Sequence, residues 1–318
     1  MKILITGGSG FIGTNMVEYF QLKNFDVLNI DIAPPQNDNH RKFWMQADIL
    51  DKEKLEAVVA DFNPDYAVHL AARTDLDGVD LEAYSSNTAG VENIVSALCK
   101  ASAVKRVIFA STQLVCARRN PDGTNDYETI NLYGESKKIG ELFLRSFKDL
   151  PFEYVIVRPT SIWGPWFGIP YNKFFKMVLA GHYFNIGKKS ATKTFGFVGN
   201  LLYQIEALLF SEYDKVSGKV FYLGDRPASP IKEWADEIGK ECGKKIVTVP
   251  YFVFKMAAYF GDFLKLFKIN FPMTSYRLTN MTTSFENDLS EIYNIAPEPP
   301  YSRLEGTKIT LKWMREHK

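Results

Sequence analysis

Cysteine is scarce in this chain of 318 residues. Its three thiols, Cys99, Cys116 and Cys242, are odd in number and show no C-x-x-C spacing, which argues against a disulfide framework and against structural zinc. Four scattered histidines add no metal signature, so no metal is expected. Charge of one sign is also missing. A net charge of +1 gives no reason to expect nucleic acid or an anionic membrane as partner. No stretch reaches the ~18 uncharged apolar residues that a membrane span requires. The chain enters a strand pattern at once, leaving no room for a signal peptide, and a reducing cytoplasm is the expected setting.

One aromatic stretch, VPYFVFKMAAYFGDFLKLFKINF at 249–271, is broken by Lys255, Asp262, Lys265 and Lys268. Its pattern fits a helix lying in a membrane interface, with lysines on one side and aromatics on the other. Amphipathic periodicity favours the plainer expectation, a helix packed against a partner lobe.

Glycine, by contrast, is concentrated where it carries information. GGSGFIG at 7–13 follows a short apolar run, KILIT, and opens an amphipathic stretch. Gly8, Gly10 and Gly13 fit G-x-G-x-x-G, while Gly7, Gly10 and Gly13 fit G-x-x-G-x-x-G. A glycine turn between strand and helix lets the backbone approach a pyrophosphate and points free N–H groups at it. Asp31 closes the second apolar run about 20 residues later, as a dinucleotide fingerprint requires. A glycine turn without a ligand is the alternative, and this context argues against it.

The first half alternates strand-like runs at 2–6, 26–31, 66–70, 106–110 and 153–158 with helical patterns near 11–23, 51–61, 82–101 and 133–148. This alternation predicts an α/β fold, a doubly wound parallel (Rossmann) sheet whose ligands sit at the carboxyl ends of strands. Asp31, Ala71, Ala72, Ser111, Thr112 and Pro159 all lie at or just past predicted strand ends, and are expected to gather along one crevice. After Pro159 the texture changes to a loop-rich SIWGPWFGIPY at 161–171. Strand-like pieces return near 194–198 and 219–223, then helices near 230–241 and 251–267. Ser302 with Glu305 announces a terminal helix. We therefore expect a dinucleotide-binding domain over 1–160, its sheet completed from 194–224. A smaller discontinuous α/β lobe, 161–193 plus 225–318, would hold substrate.

Tyr133 and Lys137 stand four apart on a predicted helix, so both lean toward one face. A phenol with a reference pKa near 10 is a poor base at neutral pH. A neighbouring ammonium and an oxidised nicotinamide both favour its phenolate. Tyr133 is thus the candidate acid/base toward a substrate hydroxyl. Ser111-Thr112 follows the run RVIFA, and Thr112 can hydrogen-bond the same substrate oxygen; a turn or helix cap is the plain alternative for such a pair.

These features together resemble the extended short-chain dehydrogenase/reductase superfamily, in particular its NAD-dependent nucleotide-sugar epimerases and dehydratases, of the UDP-glucose 4-epimerase type. The resemblance runs the whole length. It rests on GGSGFIG, Asp31, Ala47-Asp48-Ile49, His69-Leu70-Ala71-Ala72, Asn87, Ser111-Thr112 and Tyr133/Lys137, then on Arg158-Pro159-Thr160, Trp163-Gly164-Pro165 and 195–201. It implies NAD as cofactor, with Gly7, Gly10, Phe11, Ile12 and Gly13 at the pyrophosphate and Asp31 on the adenosine ribose. Asp48 and Ile49 would meet the adenine. Leu70, Ala71, Ala72, Asn87, Ser111 and Pro159 would line the groove, and Lys137 would bridge Tyr133 and the nicotinamide ribose. Asp31 repels a 2′-phosphate, which favours NAD over NADP. The resemblance also implies a substrate site at Arg73, Thr112, Gln113, Lys193 and Arg277, and a homodimer built on the 82–101 and 133–148 helices. A stripe of Ile139, Leu142, Phe143 and Phe147 fits that pairing, and fits packing on the sheet equally.

Departures from the family pattern narrow the chemistry. Gln113 and Leu114 follow Thr112 where sugar dehydratases carry Asp-Glu, so water elimination is not expected. Sugar-acid decarboxylases use a glutamate there and lose ground, and the cysteine of fucose-type epimerase-reductases is absent at Leu114. Lys193 stands where an arginine usually meets the diphosphate, giving charge without a bidentate fork. Asn200 replaces the aspartate of the V-x-D block, and Cys116 is expected to pack only. Three readings remain. They are a nucleotide-sugar 4-epimerase that keeps its NAD, a dehydrogenase or ketoreductase on a nucleotide sugar or a hydroxysteroid-like substrate, and a cofactor-binding regulator without catalysis.

Overall fold

The computed structural model describes residues 1–116, 127–169, 172–187, 190–269 and 271–317. Within the sequence segments already named, residues 117–126, 170–171, 188–189, 270 and 318 lie outside them. Seven parallel strands form the central sheet: β1 (Lys2–Thr6), β2 (Asp26–Asp31), β3 (Trp44–Gln46), β4 (Tyr66–His69), β5 (Arg106–Ala110), β6 (Glu153–Pro159) and, far later in the chain, β11 (Val220–Leu223). Their spatial order is β11-β6-β5-β4-β1-β2-β3. Alternation within each strand feeds two cores. Ile3 and Ile5 point to a layer made with Met16, Val17 and Phe20 of α1 (Phe11–Leu22) and with Leu201, Ile205 and Leu208. Leu4 points to the opposite layer, with Leu55 and Val59 of α2 (Lys52–Phe62) and Ile94, Val95 and Leu98 of α3 (Ala89–Lys100). Leu144 of α4 (Leu132–Arg145) joins the same layer. The sheet is doubly wound, buried on both faces, which is why its strands read as unbroken apolar runs.

The rest of the chain carries short strands in pairs. β7 (Ser161–Trp163) runs parallel to β10 (Phe195–Phe197), β8 (Phe184–Ile186) parallel to β13 (Val247–Val249), and β9 (Thr192–Lys193) antiparallel to β12 (Ser229–Pro230). Its helices are α5 (Asn172–Leu179), α6 (Val198–Phe210), α7 (Tyr213–Val216), α8 (Ile231–Glu241), α9 (Tyr251–Leu266), α10 (Ser275–Thr282), α11 (Ser290–Ile295) and α12 (Arg303–Glu316). The Ser302/Glu305 capping box at the start of α12 is present in both halves.

Three sequence expectations change. The helix expected over 82–101 is broken: a 3-10 turn, Glu82–Asn87, precedes α3 and turns the chain through Thr88. The strand expected to reach residue 198 ends at Phe197, where a helix of almost uniformly apolar sequence, α6, takes over and packs on the sheet. Most instructive is α9, expected to bury its apolar face. Only Ala258 and Gly261 are fully buried, Phe254 and Leu264 are half-buried, and most of its large apolar side chains face outward. The inward face is small because the chain behind it is close: a Cβ on Gly261 would stand 1.8 Å from the Met273 carbonyl oxygen.

Candidate active site

The carboxyl ends of the sheet strands define the site. Gly7 leaves β1 with φ +75°, and a Cβ there would come within 2.6 Å of the Ala71 nitrogen just beyond β4. A Cβ on Gly13 would lie 2.1 Å from the Gly7 carbonyl oxygen, so the first turn of α1 can sit against β1 only as glycine. Gly10 caps α1 without any side-chain acceptor, leaving the helix-end N–H groups open. A Cβ on Gly10 would meet only the Gly7 oxygen, at 3.3 Å, so its outer side is a free approach for a ligand backbone. Phe11 and Ile12 are half-buried beside it. Asp31 ends β2, and its carboxylate accepts from the backbone N–H of Ser9 in the glycine turn at 3.0 Å and from that of Ala33 at 3.0 Å. Asp48 accepts from the Leu50 N–H at 2.9 Å, and Ile49 is buried beneath Gly90.

At the next strand end, the Thr6 hydroxyl accepts from the Ala71 N–H at 3.3 Å and shares a 2.7 Å hydrogen bond with Nδ1 of buried His69. Burial, with the Lys137 charge behind it, pushes His69 down to about 3, so the ring is neutral at any working pH. Leu70 and Ala72 flank Ala71 in the loop leaving β4. Asn87 is fully buried and its amide is used within the protein. It accepts from the Arg73 N–H at 2.8 Å and donates to the Arg73 carbonyl at 2.9 Å and to Ser136 of α4 at 2.9 Å. Asn87 thus ties the loop after β4 to α4, and the structure gives it a positioning place. The Arg73 guanidinium is paired with Asp75 at 2.8 Å and lies over the Tyr84 ring.

The chemistry-bearing side chains meet where β5 ends. Asn131 caps α4 through the Gly134 N–H at 2.7 Å. That first turn presses on the turn at 113–115: a Cβ on Gly134 would be 2.7 Å from the Leu114 oxygen. Lys137, one turn further, donates from Nζ to the Ala110 carbonyl at 2.8 Å, directly before Ser111-Thr112. Burial lowers its pKa to about 8, with Glu141 pulling the other way. Tyr133 is buried next to Tyr84, their ring centroids 6.3 Å apart. The Thr112 Oγ1 accepts from the Leu114 N–H at 3.3 Å, which leaves its own proton for a ligand. Among the described residues Ser111 Oγ is buried without a partner, and so is Oγ1 of Thr160, next to Pro159 at the end of β6.

Gln113 leads from this edge toward the residues that follow β6. It donates to the Ser161 hydroxyl at 3.3 Å and accepts from Asn287 at 2.9 Å. Ser161 in turn borders a cavity of about 360 Å³ that also contains Lys193, Arg277, Phe195 and Trp234. Lys193 and Arg277, which are 84 positions apart in the chain, therefore share one pocket, whereas Arg73 stays at the loop after β4. Burial holds Lys193 below the ordinary lysine range, and its Nζ donates to the Asn280 carbonyl at 2.7 Å. Lys232, Trp234 and Asn280 also line this cavity. No spacing in the sequence marks them, because they come from separate elements that meet only on folding.

A network behind α4 is likewise not legible in the sequence. Arg158 of β6 donates to both oxygens of Glu141, at 2.9 and 2.8 Å, to Tyr222 of β11 at 3.2 Å and to the Cys116 sulfur at 3.3 Å. Tyr127 donates to Glu141 at 2.8 Å. Cys116 therefore takes part in a polar network, beyond the packing expected of it.

A doubly wound parallel sheet, a glycine turn open at a helix end, and a Tyr/Lys helix delivered to the same edge define an NAD-dependent enzyme of the Rossmann class. The turn fits the cofactor: Gly7 and Gly13 let it pack close to the Ala71 backbone and to α1, and only a side chain on Gly10 would stand in the open side that a pyrophosphate needs. The chain belongs to the NAD dependent epimerase/dehydratase family, whose model matches residues 3–203. It is 28% identical to an N-acetyl-alpha-D-glucosaminyl-diphospho-ditrans,octacis-undecaprenol 4-epimerase of Escherichia coli O157:H7, over 99% of this chain and 96% of that protein. It is 27% identical to a UDP-glucose 4-epimerase of Vibrio cholerae, over 97% and 94%. The fold matches that of a Thermus thermophilus UDP-glucose 4-epimerase in complex with NAD, with a TM-score of 0.73, 21% identity and 99% of both chains covered.

Proposed function

We propose that the chain is a 4-epimerase acting on a sugar joined to a diphosphate, first of all a nucleotide sugar, with Tyr133 as the acid/base. The two residues after Thr112 carry this reading. Gln113 and Leu114 offer no carboxyl group, and Gln113 is already bonded to Ser161 and Asn287, so elimination chemistry has no second proton carrier here. NAD supplies a reversible hydride acceptor when bound. Tyr133 takes the proton of the sugar 4-hydroxyl and later returns it. The Lys137 ammonium, held at the Ala110 carbonyl, would stabilise the phenolate and hold the cofactor ribose when NAD is bound, while Thr112 orients the reacting oxygen. Gly7, Gly10, Gly13 and Asp31 seat the dinucleotide; Lys193 and Arg277 hold the substrate diphosphate in the cavity. The domain division expected from the sequence, 1–160 with 194–224 against 161–193 with 225–318, belongs to this proposal. So do a cytoplasmic setting and a homodimer through the 82–101 and 133–148 segments, where Leu142 of α4 and Phe147 just past its end stand exposed.

Turnover of UDP-sugars by purified protein tests the reading. The expected result is conversion at C4 with no net change in reduced-nicotinamide absorbance, NAD released on acid denaturation, and a loss of at least ~10²-fold for Tyr133→Phe with cofactor retained. Stoichiometric accumulation of NADH overturns it in favour of a dehydrogenase. A second reading keeps the reaction and changes the carrier. The Escherichia coli relative acts, by its name, on a sugar diphosphate borne by a polyprenol. The outward apolar face of α9, next to the α10 that brings Arg277 into the cavity, favours the same carrier here.

A further inference from the structure

α9 is inverted relative to an ordinary surface helix, whose apolar stripe faces the core. Phe252, Val253, Met256, Tyr259, Phe260, Phe263 and Leu266 are all exposed, Phe252 by 66%, Met256 by 67% and Leu266 by 78%. At 100° per residue they fall within an arc of about 140°, opposite the inward Ala258 and Gly261. The patch continues past the helix into Phe267 (63% exposed) and Ile269, and Tyr276 of the adjoining α10 is exposed as well. A contiguous apolar surface of this kind marks an interaction site.

Charge decides the partner. The whole chain carries only +1, yet residues 244–285 hold six cations (Lys244, Lys245, Lys255, Lys265, Lys268 and Arg277) and a single acid, Asp262. Asp262 is taken up locally, accepting from the Ser275 N–H at 3.2 Å. A second copy pairing through this face would set lysines against lysines, since a two-fold interface is self-complementary. An anionic bilayer instead complements both features, taking the aromatic arc below the headgroups and the lysines at their level.

We propose that α9 docks the protein, lying flat, on a bilayer surface containing anionic lipid, with α10 holding the cavity at the membrane boundary. The inference does not rest on the epimerase reading, because docking needs neither substrate nor turnover. Co-sedimentation of the full chain with vesicles of equal parts phosphatidylglycerol and phosphatidylcholine, and with phosphatidylcholine alone, tests it. The expected result is binding to the mixed vesicles, weakened about tenfold for each of Phe252→Ser, Phe260→Ser and Phe263→Ser, as loss of a buried aromatic predicts. Lys255→Glu with Lys265→Glu should weaken binding to the mixed vesicles at least about fivefold and leave any binding to pure phosphatidylcholine nearly unchanged. Each variant is checked for unchanged NAD retention, so that a loss of binding is not a loss of fold. Equal sedimentation with and without vesicles overturns the proposal. So does a self-associated form, seen by analytical ultracentrifugation, that the Phe→Ser changes dissociate, since the face then belongs to a second copy.

Discussion

Lys137 shows how a side chain can serve chemistry at the expense of stability. Its ammonium is buried, and in the cofactor-free protein a backbone carbonyl is its hydrogen-bond acceptor. The unfolded chain keeps this proton up to a pH of about 10.4, whereas the folded protein releases it near 8. Between those values the unfolded state binds more protons, so stability rises with pH and the cost present below pH 8 disappears above the unfolded pKa. Lys137→Met removes that cost at every pH. The variant should be the more stable at pH 7, by on the order of 3 kcal/mol, and should lose this advantage as the pH approaches 10. Urea midpoints of the cofactor-free proteins at neutral and alkaline pH check this, and equal midpoints at neutral pH would refute it. Turnover should fall in the same variant, because the tyrosine loses its neighbouring charge.

At the scale of elements, the glycine turn shows what sequence can and cannot supply. Its spacing is legible because backbone geometry dictates glycine at fixed positions. Gly13→Ala would drive a methyl group onto the Gly7 carbonyl, 2.1 Å away, and part α1 from β1. Retained NAD should fall at least about tenfold while helix content by circular dichroism hardly changes. Unaltered retention would mean that the turn is not the pyrophosphate seat. Five of the six strands of the first half, β3 aside, and three of its four helical patterns are legible for a related reason, since buried parallel strands and amphipathic helices have distinct periods. α6 is hidden because a helix apolar nearly all round has no period to read. The periodicity of α9 is plain in the sequence and its orientation is not: a hydrophobic stripe says which residues share a face, never what covers that face. The cavity is legible only at Lys193 and Arg277, through resemblance.

Across the whole molecule, the Arg158–Glu141 pair is the knot. It joins β6, α4 and β11, with Tyr127, Tyr222 and Cys116 completing its hydrogen bonds. Both side chains are essentially inaccessible, at 0% and 2% exposure. Arg158→Met leaves the glutamate charged and buried, and should cost about 3–5 kcal/mol. Adding Glu141→Leu should restore most of that loss, because removing both charges also removes their desolvation cost. A denaturant cycle over the wild type, both single variants and the double variant measures the coupling, and strictly additive losses would contradict it. The pair also has a bearing on synthesis. The outermost strand, β11, enters only after the chain has made β7 to β10 and three further helices. A nascent chain emerging from the ribosome therefore exposes the bare edge of β6 until residue 223 has cleared the exit tunnel. The central sheet cannot be completed before residues 160–219 have been made, and a gene divided after β6 would leave its first product with an open sheet edge.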